Sequence, residues 1–144
     1  KKNIITEPEK SDVDALESAL KVFESLGMVT SFMTAEEHDK HLAYVSHLSH
    51  VSSFMLGLTV LDIEKDEKQI FELASTGFES TVRLAKSNPK TWSAIFSKNK
   101  KYLLEALDSY IVHLENFRHH IRENDTEETE RLMIRSNDIK RILK

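Results

Sequence analysis

Two histidines three residues apart, His47 and His50, stand in a stretch, residues 42–61, that holds no Asp, Glu, Lys or Arg. On a helix turning about 100° per residue their side chains lie about 60° apart, inside an apolar stripe of Ala43, Val51, Phe54, Leu58 and Leu61. Imidazoles in such surroundings are either core residues satisfied within the protein or pocket residues that offer a ligand hydrogen-bond donors and acceptors. Both readings fit the spacing. His38 and His41 repeat the interval near the helix start, on a different face, and read as surface residues.

A second group is electrostatic. Between Glu79 and Glu105 there is no acid, whereas Arg83, Lys86, Lys90, Lys98, Lys100 and Lys101 are all basic, so a chain of net charge −4 carries a local site for anions. The plainer alternative is a solvated basic face with Arg83 paired to Glu79 one turn earlier. Arg83 sits between Val82 and Leu84, in a segment with Phe78 and Trp92, so a partly desolvated guanidinium is expected, and there a bidentate bond to a carboxylate strengthens. Metal chemistry is not expected. Helical bundles that hold iron or manganese use Glu-x-x-His pairs, and none of the seven histidines has a glutamate three positions before it.

Positioning these groups falls to helices. Only three glycines and two prolines punctuate 144 residues, too few turn residues for an all-β or doubly wound domain. No cysteine is present, which removes disulfides and thiolate zinc sites and fits the cytoplasm. Net acidity argues against nucleic acid as a partner. The charge-free stretch has the length of a membrane span, but its two histidines and four serines favour a helix buried on nearly all sides inside a protein or dimer.

Along the chain, residues 3–6 and 28–33 read as short strands flanking a helix capped by Ser11 and ended by Gly27. Thr34-Ala35-Glu36-Glu37 has capping-box form and opens a long helix to about Asp62. A short helix through Ile70, Phe71, Leu73 and Ala74 follows, ended or kinked by Gly77; Phe78, Val82 and Ala85 align on the next. Asn88-Pro89 starts a helix with Trp92, Ile95 and Phe96. From about Lys98 to Glu123, Leu103, Leu107, Tyr110, Leu114, Phe117 and Ile121 form a narrow seam that wants a partner helix, and Asp125 caps the last helix. Residues 1–10 contain no signal-peptide run, and a start at Lys rather than Met reads as part of a longer protein.

The strings Glu36-Glu37-His38-Asp39, Ser46-His47-Leu48-Ser49-His50, Gly77-Phe78 and Thr81-Val82-Arg83-Leu84-Ala85-Lys86-Ser87-Asn88-Pro89, with Trp92 after them, resemble the prephenate dehydrogenases over nearly the whole chain. That family has a Glu-His-Asp turn, a Ser-His-Leu-Pro-His motif and a Thr-Arg-Ile-Ala-x-Ser-x-Pro motif in this order; Ser49 stands at the usual proline, and residues 74–77 are less glycine-rich. The resemblance implies a mainly all-α fold. Residues 34–144 would be a helical substrate-binding and dimerisation domain similar to the C-terminal type of 6-phosphogluconate dehydrogenase, preceded by residues 1–33 as the trailing β-α-β of a nucleotide-binding domain. It further implies a cytoplasmic homodimer of tyrosine biosynthesis that oxidatively decarboxylates prephenate with NAD or NADP. The glycine-rich loop and the catalytic histidine would lie outside this chain, which would bind no cofactor and turn nothing over by itself. The substrate is a dianion with a ring hydroxyl: Arg83 would clamp a carboxylate, His47 and His50 would line the pocket, and Trp92 would shape its wall. Arogenate dehydrogenase and a non-catalytic helical dimerisation module are the alternatives.

Overall fold

A computed structural model describes residues 1–64 and 74–142. Of the short helix expected through Ile70, Phe71, Leu73 and Ala74, the first three lie outside the described residues, and Ala74 is not helical. Packing divides the chain into two compact units, Lys1–Leu103 and Leu104–Lys144.

The first unit opens with strand β1 (Lys2–Thr6), helix α1 (Val13–Ser25) and strand β2 (Val29–Met33). The strands pair in parallel, Lys2 opposite Val29 through Thr6 opposite Met33, and parallel neighbours need the crossover that α1 supplies. The helix starts one residue later than its sequence suggested. Asp12, not Ser11, is the cap, its carboxylate accepting from the Ala15 N–H at 3.0 Å, because an extended residue directly before the first helical position is the one that can reach that donor. At the other end Gly27 adopts φ +64°, and the Met28 and Gly27 N–H groups bond back to the Phe23 and Glu24 carbonyls, a turn that glycine enters without steric cost. Among the described residues, Asn3 Nδ2 in β1 is a buried side-chain donor without a partner.

Thr34 then caps helix α2 (Ala35–Leu42): its hydroxyl accepts from the Glu37 N–H at 3.1 Å, while Glu37 accepts from the Thr34 N–H at 2.9 Å. These bonds to the ionised form hold the Glu37 carboxyl below the usual range. The expected single helix is interrupted. A π-helical turn, Ala43–His47, follows α2, and helix α3 (Leu48–Glu64) continues from it. Helix α4 (Thr76–Val82) passes into a 3-10 turn, Arg83–Lys86, so Gly77 lies in the first turn of α4 instead of ending a helix. Helix α5 (Pro89–Lys98) begins as its sequence indicates, with Asn88 Oδ1 accepting from Lys90 N–H at 2.9 Å and Thr91 N–H at 3.3 Å.

Ser53, only 2% exposed, ties α3 to that 3-10 turn: its hydroxyl donates to the Thr81 carbonyl and accepts from the Ala85 N–H, both at 3.0 Å. Buried apolar residues are few. Among the described residues they are Ala43, Leu103 and Ala106, two of them alanines. Helix α3, expected to be covered on nearly all sides inside a protein or dimer, leaves Met55, Leu56, Leu58, Leu61 and Ile63 between 37% and 52% exposed in the single chain. No helix among the described residues is long and apolar enough to cross a membrane.

Helix α6 (Lys100–Arg122) carries the chain into the second unit and ends where Asn124 takes φ 55°. The Asp125 N–H reaches back to the His120 carbonyl at 2.9 Å, and Asp125 Oδ1 caps helix α7 (Thr126–Ser136) by accepting from the Glu128 N–H at 3.1 Å. Within this unit the seam on α6 opens: Leu114 and Ile121 are 49% and 58% exposed. Leu114 and Phe117 line a groove with Leu132 and Met133 of α7.

Candidate functional site

The π turn decides which histidines meet. Nine α-helical steps would set His38 and His47 about 180° apart, on opposite faces. A π turn takes up one extra residue, which reduces the separation to about 80°. His38 and Asp39 therefore line one pocket with His47, together with Lys98 and Asn99, in a cavity of about 390 Å³ whose apolar wall is Leu42, Ala94 and Ile95. The sequence reading put His38 on the surface. It is half-buried, with Nδ1 3.0 Å from Asp39 Oδ1.

Beside this cavity, α5 makes a second set of contacts. Trp92, Phe96 and Asn99 recur at four- and three-residue intervals and so share the face that meets α2 and α3. Trp92 stacks on His50, centroids 3.3 Å apart and planes inclined by 23°, and meets His47 edge-on at 6.1 Å and 74°. Phe96 lies 5.6 Å from Trp92 and 6.4 Å from His47. Three of the four residues that the sequence singled out, His47, His50 and Trp92, thus form one cluster.

Each ring has a fixed polar neighbour. His50 Nδ1 lies 3.0 Å from the Ser46 carbonyl, which can only accept, so Nδ1 carries a proton and Nε2 is left for a ligand. His47 is 6% exposed, with Nδ1 3.2 Å from Asn99 Nδ2. Burial holds the His47 imidazole below the ordinary histidine value; Asp39 opposes this, and His38 and His50 add to it. Near neutral pH the ring is uncharged.

Arg83 is placed differently. The expected partial desolvation is not observed in the single chain: the 3-10 turn directs Leu84 and Ala85 inward and leaves Arg83 and Lys86 exposed. In a 3-10 turn side chains three residues apart share a face, so Arg83 and Lys86 lie outward together. Of the plainer alternative, the solvated basic face is present and the Arg83–Glu79 pair is not, because Glu79 faces Lys86 at 3.8 Å instead. Among the described residues the guanidinium has no ion-pair, hydrogen-bond or ring partner. It remains a cation open to an incoming anion.

Two residues of the cluster went unread in the sequence, Asp39 and Asn99. Asp39 belongs to the Glu-His-Asp string, which was a usable signal; Asn99 had none, being an isolated amide between two helices. A dinucleotide would need a glycine-rich turn from strand to helix. The β1–α1 connection instead carries Glu7, Pro8, Glu9 and Asp12, whose carboxylates repel phosphate, so these residues do not fit such a cofactor. Among the described residues no group of three or more His, Asp or Glu side chains is placed to share a metal ion.

Comparison with known proteins finds that residues 34–135 match the family model described as prephenate dehydrogenase, dimerization domain. A cyclohexadienyl dehydrogenase of Zymomonas mobilis is 32% identical over 123 residues, covering 85% of this chain and 42% of that protein. Among solved structures, prephenate dehydrogenase from A. aeolicus in complex with hydroxyphenyl propionate and NAD+ superposes with a TM-score of 0.83 at 32% identity, over 99% of this chain and 49% of that one. Synechocystis arogenate dehydrogenase gives 0.76 at 26% identity, over 96% and 51%. The chain spans half or less of the length of most of these relatives and no more than about half of any.

Proposed function

Because this chain belongs to the prephenate dehydrogenase family, we propose that it is the substrate-binding and dimerisation part of an oxidoreductase that converts prephenate to 4-hydroxyphenylpyruvate, carbon dioxide leaving as hydride passes to NAD or NADP. Residues 1–33 are the trailing β-α-β of a nucleotide-binding domain, and residues 34–144 are the helical part. The dinucleotide is held by residues other than these, so this chain binds substrate-like anions without turning them over.

The observation that carries the reading is the ring cluster of His47, His50 and Trp92, set in a chain that also presents Arg83 without an acid partner among the described residues. Prephenate has two carboxylates, a keto group and a ring hydroxyl. Arg83 supplies the fixed cation, the imidazoles supply hydrogen-bonding nitrogens in a partly desolvated setting, and Trp92 supplies a flat wall. Arogenate, with an amine in place of the keto group, would call for a free acceptor. The acid in this pocket, Asp39, has only its Oδ1 engaged by His38, at 3.0 Å, so an acceptor oxygen is left and arogenate stands as the alternative substrate.

The exposed apolar face of α3 supports the homodimer. A chain that leaves five large apolar residues of one helix open to water, four of them in its charge-free stretch, is completed by burying them against a second copy.

Calorimetry with prephenate and with tyrosine tests the assignment. Arg83→Ala is expected to weaken binding by about 1.5–3 kcal/mol, roughly ten- to a hundred-fold, the range for a hydrogen bond to a charged group. No heat with either compound, in a folded protein, would leave only a helical dimerisation module.

A further inference from the structure

The geometry points to Asn99 as a positioning residue that holds the His47 ring in the tautomer with its proton on Nε2, and so makes His47 a hydrogen-bond donor to substrate. Asn99 caps the C-terminal end of α5 just before α6 begins, and is 6% exposed. Its Nδ2 lies 2.7 Å from the Asp39 main-chain carbonyl and 3.2 Å from His47 Nδ1.

A carbonyl oxygen only accepts, so the amide must turn its nitrogen toward Asp39; the flipped amide would bring two oxygens together at that distance. The NH2 group has two protons. One goes to the Asp39 carbonyl and the other meets His47 Nδ1, which must then offer its lone pair. In the uncharged ring the remaining proton sits on Nε2. His50 is fixed in the opposite sense, because the Ser46 carbonyl requires a proton on its Nδ1. Adjacent rings on one helical surface thus present unlike edges, a donor from His47 and, in the uncharged ring, an acceptor from His50.

The groups around the His47 ring are His38 and Asp39 of α2, His50 of α3, and Trp92, Phe96 and Lys98 of α5. Among the described side chains, Asn99 is the one that hydrogen-bonds the ring. A neutral donor suits a carboxylate or keto oxygen, and this part of the inference rests on the substrate reading above. The tautomer does not.

Nitrogen-15 NMR of ring-labelled full chain at neutral pH reads the tautomer directly and needs no substitution. His47 Nδ1 is expected at the position of an unprotonated ring nitrogen and Nε2 at that of a protonated one. Asn99→Asp, which can only accept at that position when ionised, is expected to move the proton to Nδ1 and to raise the ring's protonation midpoint by about one to two units. Above that midpoint, prephenate affinity should fall about ten-fold as the Nε2 donor is lost. A protonated Nδ1 in the unsubstituted protein overturns the proposal, as does an Asn99→Asp protein whose Nδ1 stays unprotonated. If the proton moves but prephenate affinity does not change, the donor role toward substrate is overturned while the amide's control of the ring stands, so the two failures are separable.

Discussion

Leu58→Asp is expected to separate the dimer. Leu58 is 52% exposed in the single chain and sits among Met55, Leu56 and Leu61 on the uncharged part of α3, with Ile63 just beyond it. Burying a whole leucine stabilises by about 1.5–3 kcal/mol, so completing the burial of this one contributes about 1 kcal/mol per protomer. A two-fold interface uses each patch twice, which doubles the loss to about 2 kcal/mol. Each introduced carboxylate must also be desolvated or must keep the interface open, adding a further 1–3 kcal/mol by the usual cost of an unpaired polar group. Together these weaken the dimer by about 4 kcal/mol or more, close to a thousand-fold in Kd. Sedimentation velocity from nanomolar to micromolar concentration measures it, with circular dichroism to confirm that the helices persist. An unchanged dissociation constant would refute the placement of α3 in the interface. A monomeric unsubstituted chain at micromolar concentration would refute the dimer itself.

Three further outcomes are expected. Since burial lowers the His47 pKa, the unfolded chain takes up a proton that the folded chain refuses, so stability is full above about pH 6.5 and falls as pH drops toward the folded value; His47→Asn should flatten that part of a Tm-against-pH curve. Ser53→Ala strands the Thr81 carbonyl and the Ala85 N–H and should cost about 1–3 kcal/mol in urea unfolding, more than Ser52→Ala, whose hydroxyl bonds only the Leu48 carbonyl of its own helix. Trp92 is the one tryptophan of the chain and stacks on His50, so removing the ring in His50→Gln should change its fluorescence emission, and an unchanged spectrum would count against the stack.

Much of the fold was legible because local signals agreed with it. Thr34, Asn88 and Asp125 cap the helices they were expected to cap, and Gly27 closes α1. His47, His50 and Trp92 were legible as a group because helical spacing and a shared motif pointed the same way. What failed was non-local. Asn99 reaches its two partners across more than fifty residues, and no residue near it announces the contact. Arg83 was expected to be partly covered because apolar residues flank it, but flanking residues in a 3-10 turn face other ways. The apolar side of α3 was legible as a surface to be covered within a protein or a dimer, and a hydrophobic pattern alone does not say whether the cover is one's own or a neighbour's.

The wide turn at Ala43–His47 has a consequence for length variation. A chain that lost a single residue there would regularise into one unbroken helix with eight steps between the His38 and His47 positions, again about 80°, so His38 and Asp39 would stay on the side of Asn99. A substitution that regularised the turn with all of its residues kept would instead swing everything upstream through about 100° around the axis and carry the His38 and Asp39 side chains away from Asn99. Such a change would be nearly silent in helix content and ruinous for the cavity, whereas the shorter chain would keep it.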